Sequence, residues 1–374
     1  MNMSHAADGA SHADVYARWV DVAVAAEELG FWSVWTTEHH FASDRTYRPF
    51  LVPDDEYRAY DYDLAADPLA LLAYAAAKTS RIRLGTGVVV LNWDHPLRVV
   101  ERAAMVDVLS GGRLELGVGR GAGFREVQSF GVPADQGANA RRFRECVEII
   151  RTAWAGTTFH HDGEFFSFPP LALLPRPVQQ PAPIWIGSAS NESAAWAGSE
   201  GLPYATITWP LTGIDRYQEK RRIYLEAAAG TNRDVSGHAI PHFLYTHCSA
   251  TDERAGDTAY HYMKQFQYIN EQHYEFARQS DEERLLFGAK KKEFGNVDAL
   301  ARYPVEHQLV GSAATIVERI RSYQEAVGLN YLVMNVGFGG MPHDETIASL
   351  ERIAEEVLPA FDEAAPEVSA GPRS

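Results

Sequence analysis

With 374 residues and 46% hydrophobic content, the chain is long enough to bury about three-quarters of its unfolded surface, which excludes a fibre, a disordered chain and a scaffold that needs disulfide or metal staples. A formal net charge of −16 repels phosphate backbones and argues against a nucleic-acid partner. The two cysteines, Cys146 and Cys248, imply no disulfide framework; they fit a reducing compartment and read as small buried hydrophobes.

The opening stretch MNMSHAADGASHAD has neither the basic start nor the apolar core of a signal peptide, and residues 1–13 are expected to form a polar, disordered segment. No apolar run approaches the roughly 20 residues of a membrane span, so a soluble, cytoplasmic protein is expected. Asp14 is placed to cap a helix carrying Val15, Trp19, Val22, Ala26 and Leu29 and ending at Gly30. FWSVWTTEHHF then reads as a short apolar strand that stops on Glu38, His39 and His40. A polar, Tyr-rich loop spans 42–65, and a helix follows over about 66–79. RIRLGTGVVVL is a β-branched strand punctuated by Gly85 and Gly87. The next helix has Pro96 near its start and Gly111–Gly112 at its end, the usual asymmetry of helix termini. RLELGVGRG is a strand, and NARRFRECVEIIRTAW is a helix.

Later strands are predicted over 182–188, 203–208, 239–248 and 331–337, with helices from Ser312 to Gly328 and from Asp344 to about Phe361. An insertion over about 251–310, aromatic in its first half, breaks the rhythm and is a natural lid or site wall. The tail, 363–374, is expected to be disordered. Strands that alternate with helices require crossover connections and hence parallel pairing. About seven of them favour an α/β (β/α)8 barrel as one domain over 14–362, and no G-x-G-x-x-G opens a helix after a first strand to support a dinucleotide fold.

In such a barrel, chemistry sits where strands end. Adjacent strand residues face opposite sides, so only one of His39 and His40 faces the mouth; the other is a structural neighbour. The same alternation argues against a metal pair and so against a metal-dependent hydrolase. Arg120, flanked by Gly119 and Gly121, lies just past a strand end and suits a phosphate. IWIGSASNESAAW places Gly187, Ser188, Ala189 and Ser190 between a strand and a helix start, an anion-binding arrangement. The two segments follow neighbouring strands and converge on one anion.

These stretches, in this order, resemble the bacterial luciferase-like flavin-dependent monooxygenases from about residue 14 to 362. The resemblance is carried by AEELGFWSVWTTEHHF, RIRLGTGVVVLNWDHPLRVVERAAMVDVLSGGRLELGVGRG, LLPRPVQQPAPIWIGSASNESAAWA, GLPYA and GFGGMPH. It implies a TIM barrel with a lid insertion, usually a homodimer. It also implies reduced FMN supplied by a separate NAD(P)H:flavin reductase, and O2 as co-substrate, reacting through a flavin hydroperoxide to oxygenate a small organic substrate. By this resemblance His39 is the active-site histidine, and Arg120, Gly187, Ser188, Ala189 and Ser190 hold the phosphate. Gly87–Val88 is a non-proline cis peptide under the flavin ring, with Gly87 letting the backbone approach it, and Asn92 lies near the flavin edge. A deazaflavin-dependent hydride transfer and a non-catalytic flavin-binding protein are the alternatives. The chain departs from the pattern in one place: the apolar first strand that opens the family's barrel has no counterpart in residues 1–13.

Overall fold

The computed structural model describes residues 10–41, 65–121, 124–132, 135–188, 190–206, 213–274 and 297–361. Helix α1 (His12–Glu28) begins two residues before Asp14, so the predicted polar segment ends earlier than residue 13. Ser11 is the N-cap: its hydroxyl accepts from the Asp14 N–H at 3.2 Å, and the Asp14 carboxylate accepts from the Ser11 N–H at 2.9 Å. Asp14 therefore closes a capping box from inside the helix; a serine three residues upstream is the better-placed cap.

The sheet strands are β1 (Ser33–Thr36), β2 (Arg83–Thr86), β3 (Val89–Val90), β4 (Leu114–Gly119), β7 (Ile184–Ser188), β8 (Tyr204–Thr206), β9 (Pro241–Cys248), β10 (Leu309–Gly311) and β11 (Tyr331–Asn335). They pair in parallel in the order β1-β2-β4-β7-β8-β9, with β3 extending the β2 side along β4. The eight residues of β9 take β11 along Pro241–Tyr245 and β10 along Thr246–Cys248. Around this curled sheet pack α2 (Pro68–Ala76), α3 (Pro96–Ser110), α4 (Phe124–Ser129), α5 (Gln136–Ala155), α6 (Asn191–Glu200), α7 (Ile214–Gly230), α8 (Asp252–Tyr274), α9 (Val297–His307), α10 (Ala313–Val327) and α11 (His343–Arg352). A hairpin of β5 (Phe159–Asp162) and β6 (Ser167–Leu171), absent from the sequence expectation, sits between α5 and β7. None of the described helices is long and apolar enough to cross a membrane.

No strand stands between β11 and β1 among the described residues. The two ends of the sheet meet through side chains instead: Tyr331 Oη donates to Ser33 Oγ at 2.9 Å, and Trp35 Nε1 donates to the same oxygen at 2.9 Å. The interior is filled by rings rather than by aliphatic layers. Trp35 lies 5.6 Å from Phe243, 6.1 Å from Tyr331 and 6.4 Å from Trp185, all edge-on. Gly85 makes room for that plug, because a Cβ there would fall 2.2 Å from the Trp35 indole. At the strand-start end, Glu115 accepts a hydrogen bond from Arg83 and another from Trp185 Nε1 at 2.6 Å. Arg83 also donates to Gln179 at 2.7 Å, so this end is closed by a satisfied ion pair.

Candidate active site

The strand-terminal end of the sheet assembles differently. In the β4–β7 ladder Val118 pairs with Ile186, and Arg120 and Ser188 each follow two residues after that pair. Arg120 is half-buried and, among the described residues, has no hydrogen bond or ion pair. Burial pulls its pKa down, with Glu192 opposing and Arg144 adding to the fall. Glu192 itself is drawn off by Arg144 at 2.7 Å. Ser190 caps α6, its hydroxyl accepting from the Ser193 N–H at 3.2 Å. Glu192, in the first turn of α6, acts electrostatically on the guanidinium, which brings this helix start to the same corner. Gly187 and Ser188 end β7; Ala189 lies outside the described residues.

Beside this corner runs the segment from Gly87 to Asn92. The Gly87–Val88 peptide is cis, and a Cβ on Gly87 would come within 2.9 Å of the Phe243 ring, so glycine here seats the backbone on the aromatic plug. A Cβ on Gly119 would strike Val88 Cγ2 at 2.4 Å, which fixes how closely β4 approaches the same segment. Asn92 is buried and turns its amide nitrogen to Asn139 on α5, donating to the Asn139 carbonyl at 3.0 Å and to its Oδ1 at 2.9 Å. Asn92 Oδ1 is buried without a hydrogen-bond partner.

The histidines crown β1. His39 is half-buried, and its backbone N–H donates to the Ala65 carbonyl at 3.2 Å. His40 Nε2 lies 2.9 Å from Glu38 Oε1, and its N–H donates to Glu126 on α4 at 2.9 Å. Its ring packs edge-on against Trp93 and Phe130, centroids 5.4 and 5.0 Å away. Glu38 Oε2 accepts from the Val90 N–H at 2.7 Å, joining the histidine segment to the cis-peptide segment. Burial pushes the Glu38 carboxyl pKa up, against the pull of the His40 and Val90 hydrogen bonds. Sequence reasoning passed over Glu38 as a site residue, although a carboxylate two positions before a histidine was visible in EHH.

Across the mouth, the expected insertion supplies α8, whose Phe266 packs against Tyr245 at 5.5 Å, with Phe338 on the other side of Tyr245 at 5.5 Å. The loop over 42–65 falls almost wholly outside the described residues, as do the polar half of the insertion and the tail. No group of three or more His, Cys, Asp or Glu side chains suited to a metal occurs among the described residues.

Comparison with known proteins places this arrangement. A model of the luciferase-like monooxygenase family matches residues 1–329. The chain belongs to that family. It is similar to the oxygenase component of the flavin-dependent trigonelline monooxygenase of Acinetobacter baylyi, 28% identical over 97% of this chain and 94% of that one. A crystal structure of a monooxygenase from Streptomyces bottropensis superposes with a TM-score of 0.77 at 25% identity, covering 96% of this chain and 98% of the other. The fold is shared, at a TM-score of 0.71 and 22% identity over 94% of each chain, with the oxygenating constituent of 3,6-diketocamphane monooxygenase of Pseudomonas putida, in complex with FMN. An F420-dependent secondary alcohol dehydrogenase shares it as well, at a TM-score of 0.68 and 17% identity over 94% of this chain and 95% of that one.

Proposed function

We propose that the protein is the oxygenase component of a two-component monooxygenase, taking reduced FMN from a separate NAD(P)H:flavin reductase and using O2 to oxygenate a small organic substrate. The observation that carries this reading is Arg120, a half-buried guanidinium without a partner among the described residues, set beside the start of α6. An arginine partly withdrawn from water and left unpaired is unfavourable unless an anion completes it. The residues present fit a flavin mononucleotide. Arg120, Gly187, Ser188, Ala189 and Ser190 would take the phosphate, Gly87 and Val88 the ring face, and Asn92, through its unpartnered oxygen, a donor on the ring edge. Bound reduced flavin supplies the electrons that activate O2.

The chain's own part is to hold the cofactor, keep water away and manage protons. The α8 wall of Phe266 with Tyr245 and Phe338 limits solvent on one side of the mouth. His39, at the end of β1, holds or moves a proton beside the flavin. A deazaflavin is the second reading, favoured by the shared fold of the alcohol dehydrogenase. Titration of the apoprotein with FMN and with a deazaflavin, followed by O2 uptake with each reduced form, tests the choice. Tight FMN binding and flavin-dependent O2 consumption support the monooxygenase; binding of the deazaflavin alone overturns it.

A homodimer belongs to the same proposal. Helix α2 carries no charged residue in PLALLAYAA and is apolar on every side, a pattern that calls for cover on its outer face. Tyr74 there and Met105 and Leu109 on the neighbouring α3 are 54%, 47% and 62% exposed. Light scattering that returns a 41.5 kDa particle would remove this part.

A further inference from the structure

We propose that Glu38 is a positioning residue that holds His40 as the Nε2–H tautomer and fastens its ring to the backbone at Val90, so that His40, alongside His39, is a proton-exchanging group of this site. The inference rests on the flavin reading for its role but not for its geometry.

The two oxygens of the Glu38 carboxylate are used separately. Oε1 takes the ring nitrogen of His40 at 2.9 Å, and Oε2 takes the Val90 N–H at 2.7 Å, from a segment 52 residues away in sequence. The Glu38 and His40 side chains are only 9% and 16% exposed, which separates this pair from the solvated ion pairs of the outer helices. In its ionised form the carboxylate accepts hydrogen bonds only, and the nitrogen facing it then carries the proton while the lone pair of the neutral ring is left on Nδ1. That atom has no hydrogen bond among the described residues.

The rest of the ring is immobilised. Trp93 and Phe130 hold it edge-on, and the His40 N–H is tied to Glu126. A proton taken up at Nδ1 makes the imidazolium, whose charge the Glu38 carboxylate stabilises; the proton leaves by the same nitrogen. The charged groups around the pair, among the described residues, include Asp67, which adds negative potential at Glu38, Glu126 on α4, which accepts from the His40 N–H, Arg125 on α4, which donates to the Phe41 carbonyl, and the neighbouring His39. Because the same carboxylate binds Val90, the ring keeps a fixed distance from the Gly87–Val90 segment, and a proton exchanged there is exchanged at a set position relative to a ligand on that segment.

The test uses the full chain labelled with 15N-histidine and no flavin, with His40→Asn identifying the His40 signals. In the wild type the neutral ring gives an Nε2 signal of the protonated type and an Nδ1 signal of the unprotonated type. Glu38→Gln removes the charge and keeps the shape. The tautomer preference is then lost, and the two nitrogen signals move toward each other. The Val90 amide stays protected from hydrogen exchange in Glu38→Gln and loses protection in Glu38→Ala, circular dichroism showing that both fold. His40 nitrogen signals unchanged by Glu38→Gln would overturn the proposal, and would show that Glu38 only packs.

FMN titration of the same samples separates the two claims. A wild type that binds no FMN removes the flavin reading and leaves the nitrogen result standing, whereas intact FMN binding with unmoved His40 signals removes this inference alone.

Discussion

The two ends of the barrel each hold an arginine on the β2–β4 side of the sheet, and they treat it in opposite ways. At the strand-start end Arg83 meets the Glu115 carboxylate and Gln179, and Glu115 is completed by Trp185. At the strand-terminal end Arg120 is half-buried with no partner among the described residues, and the nearby acid, Glu192, is turned toward Arg144. A charge satisfied from within the fold is part of the scaffold. A charge desolvated and left open is stabilised by something that arrives later. The lesson is that the state of satisfaction, rather than the residue type, separates the stabilising arginine from the one proposed to bind.

That contrast breaks most readily at its stabilising end. Glu115→Ala strands the Arg83 guanidinium and the Trp185 N–H, and is expected to lower unfolding free energy by about 3–5 kcal/mol, the loss typical of a broken buried pair. Chemical denaturation measures it, and FMN affinity of the folded fraction should not change. At the other end, His39→Ala should lower turnover by on the order of 100-fold, roughly 2.7 kcal/mol, with FMN binding and melting temperature preserved. Unaltered turnover would make His39 structural.

Arg120→Ala is the mirror of the Glu115 change: FMN affinity falls by about 1.5–3 kcal/mol, the usual worth of a charge-assisted hydrogen bond, while stability holds or rises slightly. A variant that unfolds but binds FMN normally would erase the contrast.

The smallest effect concerns Glu27, which ties the end of α1 to the segment entering β2. Burial opposes its ionisation, yet N–H groups of Ile82, Arg81 and Ser80 and the Ser80 hydroxyl hold its pKa at about 2, against an ordinary value of 4.5. A carboxylate whose folded pKa is lowered contributes stability above its unfolded pKa and loses it as pH falls through the folded one. Stability should therefore decline between about pH 4.5 and 2, and Glu27→Gln should flatten that slope in a pH series of thermal melts.

Much of the proposed site could be named from the sequence because its parts are local. Arg120 after Gly119, the small-residue turn after β7 and the glycines of RIRLGTGVVVL are runs of consecutive residues whose backbone roles follow from the residue types. Parallel pairing followed from alternation with helices. The unread parts depend on partners far along the chain. Asn92 looks like a free edge residue until Asn139, 47 positions away, takes its amide nitrogen. Glu38 looks like one of three titratable groups in a row until Val90 claims its second oxygen. Asp14 was chosen as the helix cap because a carboxylate at a predicted boundary is a fair cap, and Ser11 displaced it by a hydroxyl three residues earlier. The missing opening strand was legible as a departure, but the Tyr331–Ser33 contact that spans the sheet's two ends was not, since it joins residues 298 positions apart.

The ring cluster of Trp35, Trp185, Phe243 and Tyr331 has a bearing on traffic. Interlocked rings stopper the vessel from beneath, so the side chains that fill its core also shut the passage along its axis from the strand-start side.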